Sequence, residues 1–131
     1  MIKAVKLEEG STLPEALEQR ILSEGLKGGL IAGVGGFRRA EIGYYNPLTS
    51  EFTREVMEAP ENEILEVLSL LGNYMVRSDG SLSMHIHVTL GIKDAGAKGG
   101  HLIKAAVRPY LELFLIEAGD LRQVLRHRDR T

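Results

Sequence analysis

Cysteine does not occur in the 131-residue chain. Its absence excludes disulfides, thiolate nucleophiles, iron–sulfur clusters and every zinc site that uses cysteine. A transition-metal site in this protein would therefore have to use histidine, aspartate or glutamate. The chain has four histidines, and three of them fall within a short window of the sequence.

A basic excess is also lacking, since 16 lysines and arginines stand against 18 aspartates and glutamates, for a net charge of −2. Dedicated nucleic-acid binders usually carry a basic surplus, because their affinity comes largely from neutralising phosphates. Positive charge does gather near the end of the chain, in LRQVLRHRDR, at Arg122, Arg126, Arg128 and Arg130. We interpret that cluster as a solvated tail.

No apolar run approaches the roughly 20 residues that a membrane-spanning helix requires. The N-terminal stretch MIKAVKLEEG alternates like a strand and lacks the apolar core and cleavage site of a signal peptide. We therefore expect a cytoplasmic protein without a membrane partner. The length suits one domain with a hydrophobic core, which we predict over residues 1–131.

The hydrophobic pattern predicts one helix and a series of strands. Apolar residues repeat at helical spacing over 13–24, Thr12 and Glu15 match a capping box, and Gly25 suits the position after the helix. Strands are predicted where apolar and β-branched residues alternate or cluster, at 2–8, 28–35, 37–45, 51–58, 63–77, 82–91, 101–107 and 110–118.

These elements predict an α+β fold, with a mainly antiparallel sheet of roughly seven strands and one main N-terminal helix. Pro109 is expected to separate the last two strands, because proline cannot donate to a strand ladder. The strand 63–77 is expected to be broken or bulged near Gly72. Strict alternation places Glu66 on the same face as Ile64, Leu68 and Leu70.

The glycine runs do not match a nucleotide-binding motif. No segment fits the Walker pattern, and in GVGGF the spacing of Gly33 and Gly35 is followed by Arg38 where a dinucleotide-binding loop needs a third glycine. We interpret these glycines as structural.

Apolar and polar residues alternate along the stretch MHIHVTLG, as in a strand with one buried face. Met84, Ile86, Val88 and Leu90 would point to one face of a strand, and His85, His87 and Thr89 to the other. His101 follows in KGGHLIKAAV, after a loop of hairpin length. In a simple hairpin, His101 would meet His87 more easily than His85.

Three readings of these histidines stay open at this point: metal ligands, an acid–base pair, or polar residues on a solvated strand face. Three imidazoles without cysteine would suit Zn²⁺ or a similar ion and leave a fourth position open, unless Glu66, Asp94 or Glu112 fills it. Ring nitrogens of His85 and His101 more than about 8 Å apart could not share an ion.

A larger pattern joins these pieces. LEVLSLLGN, MHIHVTLG, KGGHLIKAAV and LELFLIE follow one another along the chain, and together they resemble the PPC domain, the plants and prokaryotes conserved domain. The matching positions are Glu66, Ser69, Leu70, Gly72, Asn73, His85, His87, Gly99, Gly100, His101, Leu102 and Glu112. The resemblance covers nearly the whole chain.

The resemblance implies a compact α+β fold, a homotrimer, and a zinc or similar divalent ion at His85, His87 and His101. It also implies DNA binding by kinship, since plant members carry an AT-hook beside the domain. This chain has no R-G-R-P core of an AT-hook, so it is similar to the stand-alone prokaryotic type.

Four functional hypotheses follow. The chain could be a trimeric metal- or small-molecule-binding protein, or an enzyme with an open zinc site and Glu66 or Glu112 as catalytic base or fourth ligand. It could also bind DNA through its arginines, or dock partner proteins as a trimer. The arginines in question are Arg38, Arg39, Arg122, Arg126, Arg128 and Arg130.

Overall fold

The computed structural model describes residues 1–94 and 96–130; Ala95 and Thr131 lie outside the described residues. One helix packs against one sheet of seven strands, all paired antiparallel, which confirms the predicted α+β fold. The elements are β1 (Ile2–Glu8), β2 (Thr12–Leu13), α1 (Glu15–Ser23), β3 (Gly28–Asn46), β4 (Glu51–Glu58), β5 (Leu65–Val76), β6 (Leu82–Ile92), β7 (Gly96–Glu117) and a short 3-10 helix (Arg126–Arg128).

Two strands are longer than predicted. The segments 28–35 and 37–45 form one bent strand, β3, and the segments 101–107 and 110–118 join in β7. Pro109 does not separate strands, because the register of β7 on β3 passes from Leu111 to Val107 and leaves Pro109 without a β3 partner. Its missing N–H group therefore costs no ladder hydrogen bond.

The helix begins later than predicted. Thr12 and Leu13 pair with β7 as the short strand β2, and Pro14 occupies the N-cap without a side-chain cap. The predicted capping box is therefore wrong, because strand pairing fixes Thr12. The end of the helix is as expected, since Gly25 follows it with a φ of 69°.

The predicted alternation along β5 is correct at its start and then fails. Glu66 and Leu68 face solvent, whereas Leu70 is buried. The cause is a bulge, because the pairing of β5 with β6 shifts between Val67 and Ser69. The break expected near Gly72 does not occur, since Gly72 pairs regularly on both sides.

The core lies on the inner face of the sheet under α1. Its largest fully buried side chains are Tyr74, Phe37, Leu13, Leu17, Ile21, Ile31, Ile42, Leu70, Met75, Leu90, Leu111 and Leu113. Within the described residues, no helix has the length and hydrophobicity that crossing a membrane requires.

The hydroxyl of Tyr74 is buried in that core without a hydrogen-bond partner. Burial, and next the charge of Glu117, raise the pKa of Tyr74 to about 12. We expect Tyr74→Phe to leave the free energy of unfolding unchanged or to raise it by up to about 1 kcal/mol, because the variant removes an unsatisfied polar group. Urea unfolding of both proteins measures this difference, and a loss of more than about 1 kcal/mol would contradict it.

The outer face of the sheet carries a continuous row of cross-strand neighbours. Each residue of this row pairs directly with the next, in the order Ala4, Phe114, Ala32, Leu71, His87, His101, Gly43 and Arg54. The long strands β3 and β7 each contribute two residues to the row, because each pairs with different strands along its length. Directly paired residues share a face of the sheet, so the row places two of the three histidines on the outer surface, beside apolar side chains.

Candidate metal centre

The three histidines come from two neighbouring strands. His85 and His87 project from the outer face of β6, while Ile86, Val88 and Leu90 between and after them are buried. This confirms the predicted alternation. β7 returns antiparallel beside β6, and this pairing places His101 directly opposite His87.

The side-chain nitrogens of the three histidines converge. Nε2 of His85 lies 3.1 Å from Nε2 of His87, and the ligand atoms of all three rings lie within 4.8 Å of one another. Two nitrogens bound to one tetrahedral zinc ion at 2.0–2.1 Å would be about 3.3 Å apart. The first pair is therefore close to coordination distance, and the cluster is far inside the 8 Å limit for a shared ion.

The side chains do not follow the backbone pairing. The backbone register joins His87 to His101, yet the ring centroids of His85 and His101 are closer, at 5.4 Å against 6.0 Å for His87 and His101. The expectation that His101 meets His87 more easily holds for the backbone and is wrong for the rings. The ring of His85 leans along the strand toward both others.

The surroundings of His85 and His101 favour their neutral imidazoles. Burial, then the charge of His87, then that of Arg128 lower the pKa of His85 from its ordinary value. Burial, then His85 and His87 lower the pKa of His101 in the same direction. A neutral ring nitrogen has a free lone pair, which is the form that binds a metal. The chemistry of this donor set therefore fits a divalent ion of the zinc type.

A cavity of about 360 Å³ opens beside the cluster. The pairing of β6 with β7 ends at His87 and His101, and the two strands part beyond that point. The gap is lined by His101, Arg54 and apolar side chains of both strands, and the ring of Phe52 lies edge-on to His101 at 6.0 Å. A second cavity, of about 610 Å³, lies elsewhere on the sheet, among Lys6, Val34 and residues around them.

The chain matches the model of the Plants and Prokaryotes Conserved (PCC) domain over residues 2–119. It belongs to this family. Residues 2–119 include every element from β1 to β7 and all three histidines of the cluster.

Solved structures resemble this PCC-domain chain along most of its length. A metal-containing protein from Archaeoglobus fulgidus is 32% identical, with a TM-score of 0.79, over 92% of this chain and 81% of that one. A plant- and prokaryote-conserved protein from Pyrococcus horikoshii is 28% identical, with a TM-score of 0.79, over 89% and 78%. A candidate DNA-binding protein from Bacteroides thetaiotaomicron shares the fold at 23% identity and a TM-score of 0.82, over 91% and 80%. No curated protein sequence is significantly similar to the chain.

The acidic residues considered as ligands or bases lie apart from the histidines. Within the described part of this PCC-domain chain, the metal-competent group consists of the three histidines without a carboxylate. Glu66 pairs with Gly91, Glu112 pairs with Lys6 and Val34, and Asp94 lies in the turn after β6. A single chain therefore leaves the remaining coordination positions of an ion to water or to a ligand.

The C-terminal segment contributes to the site in a way that the sequence pattern does not indicate. Arg128 is half-buried: its guanidinium donates to Oδ1 of Asn73 at 2.5 Å and to Oγ and the carbonyl oxygen of Ser83 at 2.9 and 3.2 Å. Arg77 in turn donates to the carbonyl oxygen of Arg128 at 2.7 Å. Asn73 is the direct cross-strand neighbour of His85. The C-terminal segment therefore places the Arg128 guanidinium at the edge of the histidine cluster.

Proposed function

We propose that this PCC-domain protein is a homotrimer that holds zinc or a similar divalent ion at His85, His87 and His101. The observation that carries the proposal is the convergence of three imidazoles, from two strands, on one outer face of the sheet. The metal-containing relative from Archaeoglobus fulgidus, at 32% identity, supports the same reading.

A bound ion at such an open site can acidify a water molecule or polarise an oxygen of a ligand. The role of the chain is to hold three imidazole nitrogens in place on two paired strands. Glu66 and Glu112, the two residues predicted as catalytic bases, lie outside the cluster in a single chain. Neither is beside the site to accept a proton from a metal-bound water. We therefore favour ligand binding over metal-dependent hydrolysis.

Calorimetric titration of Zn²⁺ into metal-free protein, purified without a histidine tag, tests the metal proposal. We expect one ion per chain with a dissociation constant in the micromolar range or below. Binding of less than about 0.2 ion per chain under these conditions would overturn the proposal.

The trimer proposal rests on an apolar patch on the outer face, which we name the outer patch: Leu30, Val34, Leu68, Leu71 and Phe114. Each of these side chains is 41–54% exposed in the single chain, although all are large and hydrophobic. Contiguous exposed apolar patches commonly mark protein interfaces. The family resemblance indicates three copies of this chain as the occupants.

Phe114→Asp is expected to dissociate the trimer, because it places a charge in the outer patch where burial would leave it unpaired. Light scattering coupled to size exclusion should show a fall in mass from three chains of 14.4 kDa to one. Leu48→Asp is the matched control, since Leu48 is 94% exposed in the turn after β3 and should leave the trimer intact. A trimeric Phe114→Asp protein, or a monomeric wild type, would contradict this assignment.

Binding to DNA is the second candidate, and the name of the relative from Bacteroides thetaiotaomicron favours it. The arginines expected to serve it are partly engaged elsewhere. Arg39 pairs with Glu58, Arg122 pairs with Asp120, and Arg128 is half-buried against Asn73. Gel shift on duplex DNA at low salt, repeated at rising salt, tests this candidate, and no shift at the lowest salt would reject it.

A further inference from the structure

With a divalent ion bound, the site would carry an unbalanced positive charge. Three neutral imidazoles and a divalent ion would have a net charge of +2, and Arg128 adds a further positive charge at the edge of the cluster. Among the described residues, no carboxylate lies within ion-pair distance of the Arg128 guanidinium. Charged groups taken out of water are usually paired, and the partly buried Arg128 could therefore take an anionic partner from outside the chain.

The guanidinium is held in place but not saturated. Its bonds to Asn73 and Ser83 use three of the five N–H groups of an arginine, which leaves two free to donate. Burial, and next the neighbouring Arg77, lower the pKa of Arg128, the direction expected for a cation without a counter-ion. The other arginine near the site, Arg54, is different because it already pairs with Glu41 at 3.2 Å.

The cavity beside His101 indicates what else the ligand contains. Its volume of about 360 Å³ is within the range of small-molecule sites. Its walls are mostly carbon, supplied by Pro14, Phe52, Met84, Ile86, Leu102 and Ile103. A free phosphate would leave this space unused, whereas an organic acid could place a short apolar chain in it.

We propose that the metal site binds a small organic carboxylate, with one carboxylate oxygen on the ion, the other accepting from Arg128, and a short apolar chain in the cavity beside His101. The inference rests on the metal proposal above. Arg128, which the C-terminal segment supplies, donates a hydrogen bond to the bound carboxylate and balances its charge. The two remaining N–H groups of the Arg128 guanidinium can donate to the carboxylate oxygen that the ion does not hold, and hydrogen bonds between two charged groups are stronger than neutral ones.

Titration of the Co²⁺-loaded protein with butyrate, followed by the visible cobalt spectrum, tests the proposal. We expect Arg128→Gln to weaken butyrate binding at least tenfold and to change the binding of imidazole, a neutral ligand, by less than twofold. Asn73→Asp should have the same pair of effects, because it places a carboxylate next to Arg128 and neutralises it. Arg126→Gln is the matched control, since Arg126 is exposed in the same 3-10 helix.

The outcomes separate the two proposals. A wild type that gives no cobalt spectrum overturns the metal site and this inference with it. Cobalt binding with butyrate affinity unchanged in Arg128→Gln or Asn73→Asp overturns this inference alone. Butyrate and imidazole affinities that fall together in both variants also overturn it, because the change would then be a loss of site structure.

Acetate tests the role of the cavity, because it lacks the apolar chain of butyrate. It should bind severalfold more weakly than butyrate to the wild type, and equal affinity would show that the cavity does not bind the chain.

Discussion

His87→Ala is expected to lower the affinity for zinc by at least about a hundredfold. His87 is one of the three proposed ligands; its Nε2 lies 3.1 Å from Nε2 of His85, and its backbone pairs directly with that of His101. Loss of an outer hydrogen-bond partner of a ligand already costs tenfold to a hundredfold in metal affinity, and loss of the ligand itself should cost more. Calorimetric titration with Zn²⁺ measures the change.

His127→Ala is the matched control for this experiment. His127 is the fourth histidine of the chain and lies exposed in the 3-10 helix, outside the cluster. Its loss should leave one zinc ion per chain and an affinity within about twofold of the wild type. Because His87 is exposed on the sheet, the metal-free His87→Ala protein should unfold at the same urea concentration as the metal-free wild type. Equal zinc affinity in wild type and His87→Ala would contradict the assignment of the ligand.

Gly72→Ala is expected to lower the free energy of unfolding by about 3 kcal/mol. Gly72 of β5 pairs with Ile86 of β6. A Cβ atom added to Gly72 would lie 2.2 Å from the carbonyl oxygen of His85 and 2.9 Å from the Cα of Ile86. Both atoms belong to the backbone, so a rotamer change cannot relieve the overlap. The two strands would have to separate beside His85, and zinc affinity should fall together with stability.

Gly91→Ala provides the comparison, because Gly91 lies in the same β5–β6 pairing with different surroundings. A Cβ atom there would meet side-chain atoms of Glu66 and Leu68 at 3.4 Å or more, which is ordinary contact. Its effect on the free energy of unfolding should stay within about 1 kcal/mol. Chemical unfolding of the metal-free proteins measures both variants, and a Gly72→Ala protein as stable as Gly91→Ala would show that the strands do not approach as closely at Gly72.

The histidine cluster was predictable because local rules decide it. Alternation by twos puts His85 and His87 on one face, and a connection of hairpin length returns the chain beside them, whichever fold surrounds the hairpin. The lean of the His85 ring toward His101 was not predictable, since side-chain orientation depends on neighbours such as Asn73 that come from another strand.

The errors have a common physical cause, which is pairing between distant segments. Thr12 fits a helix cap locally, but its pairing with Ala106 holds it in a strand. Pro109 looks like a strand break, but β3 skips that position in its register. Local patterns contain no information about either partner.

The C-terminal segment is the clearest case of this limit. A run of arginines near the end of a chain usually indicates a solvated tail. Arg128 is instead bound to Ser83 and Asn73, 45 and 55 residues away in the sequence. Nothing in the spacing of LRQVLRHRDR distinguishes Arg128 from Arg126, which is exposed.

Anomalous diffraction tests the central claim most directly. Crystals of the protein, purified without a histidine tag and supplied with zinc, would be measured on both sides of the zinc absorption edge. We predict one anomalous peak per chain, about 2.0–2.1 Å from a ring nitrogen of each of His85, His87 and His101. Ordered histidines with no peak among them, or a peak held by other residues, would contradict the account.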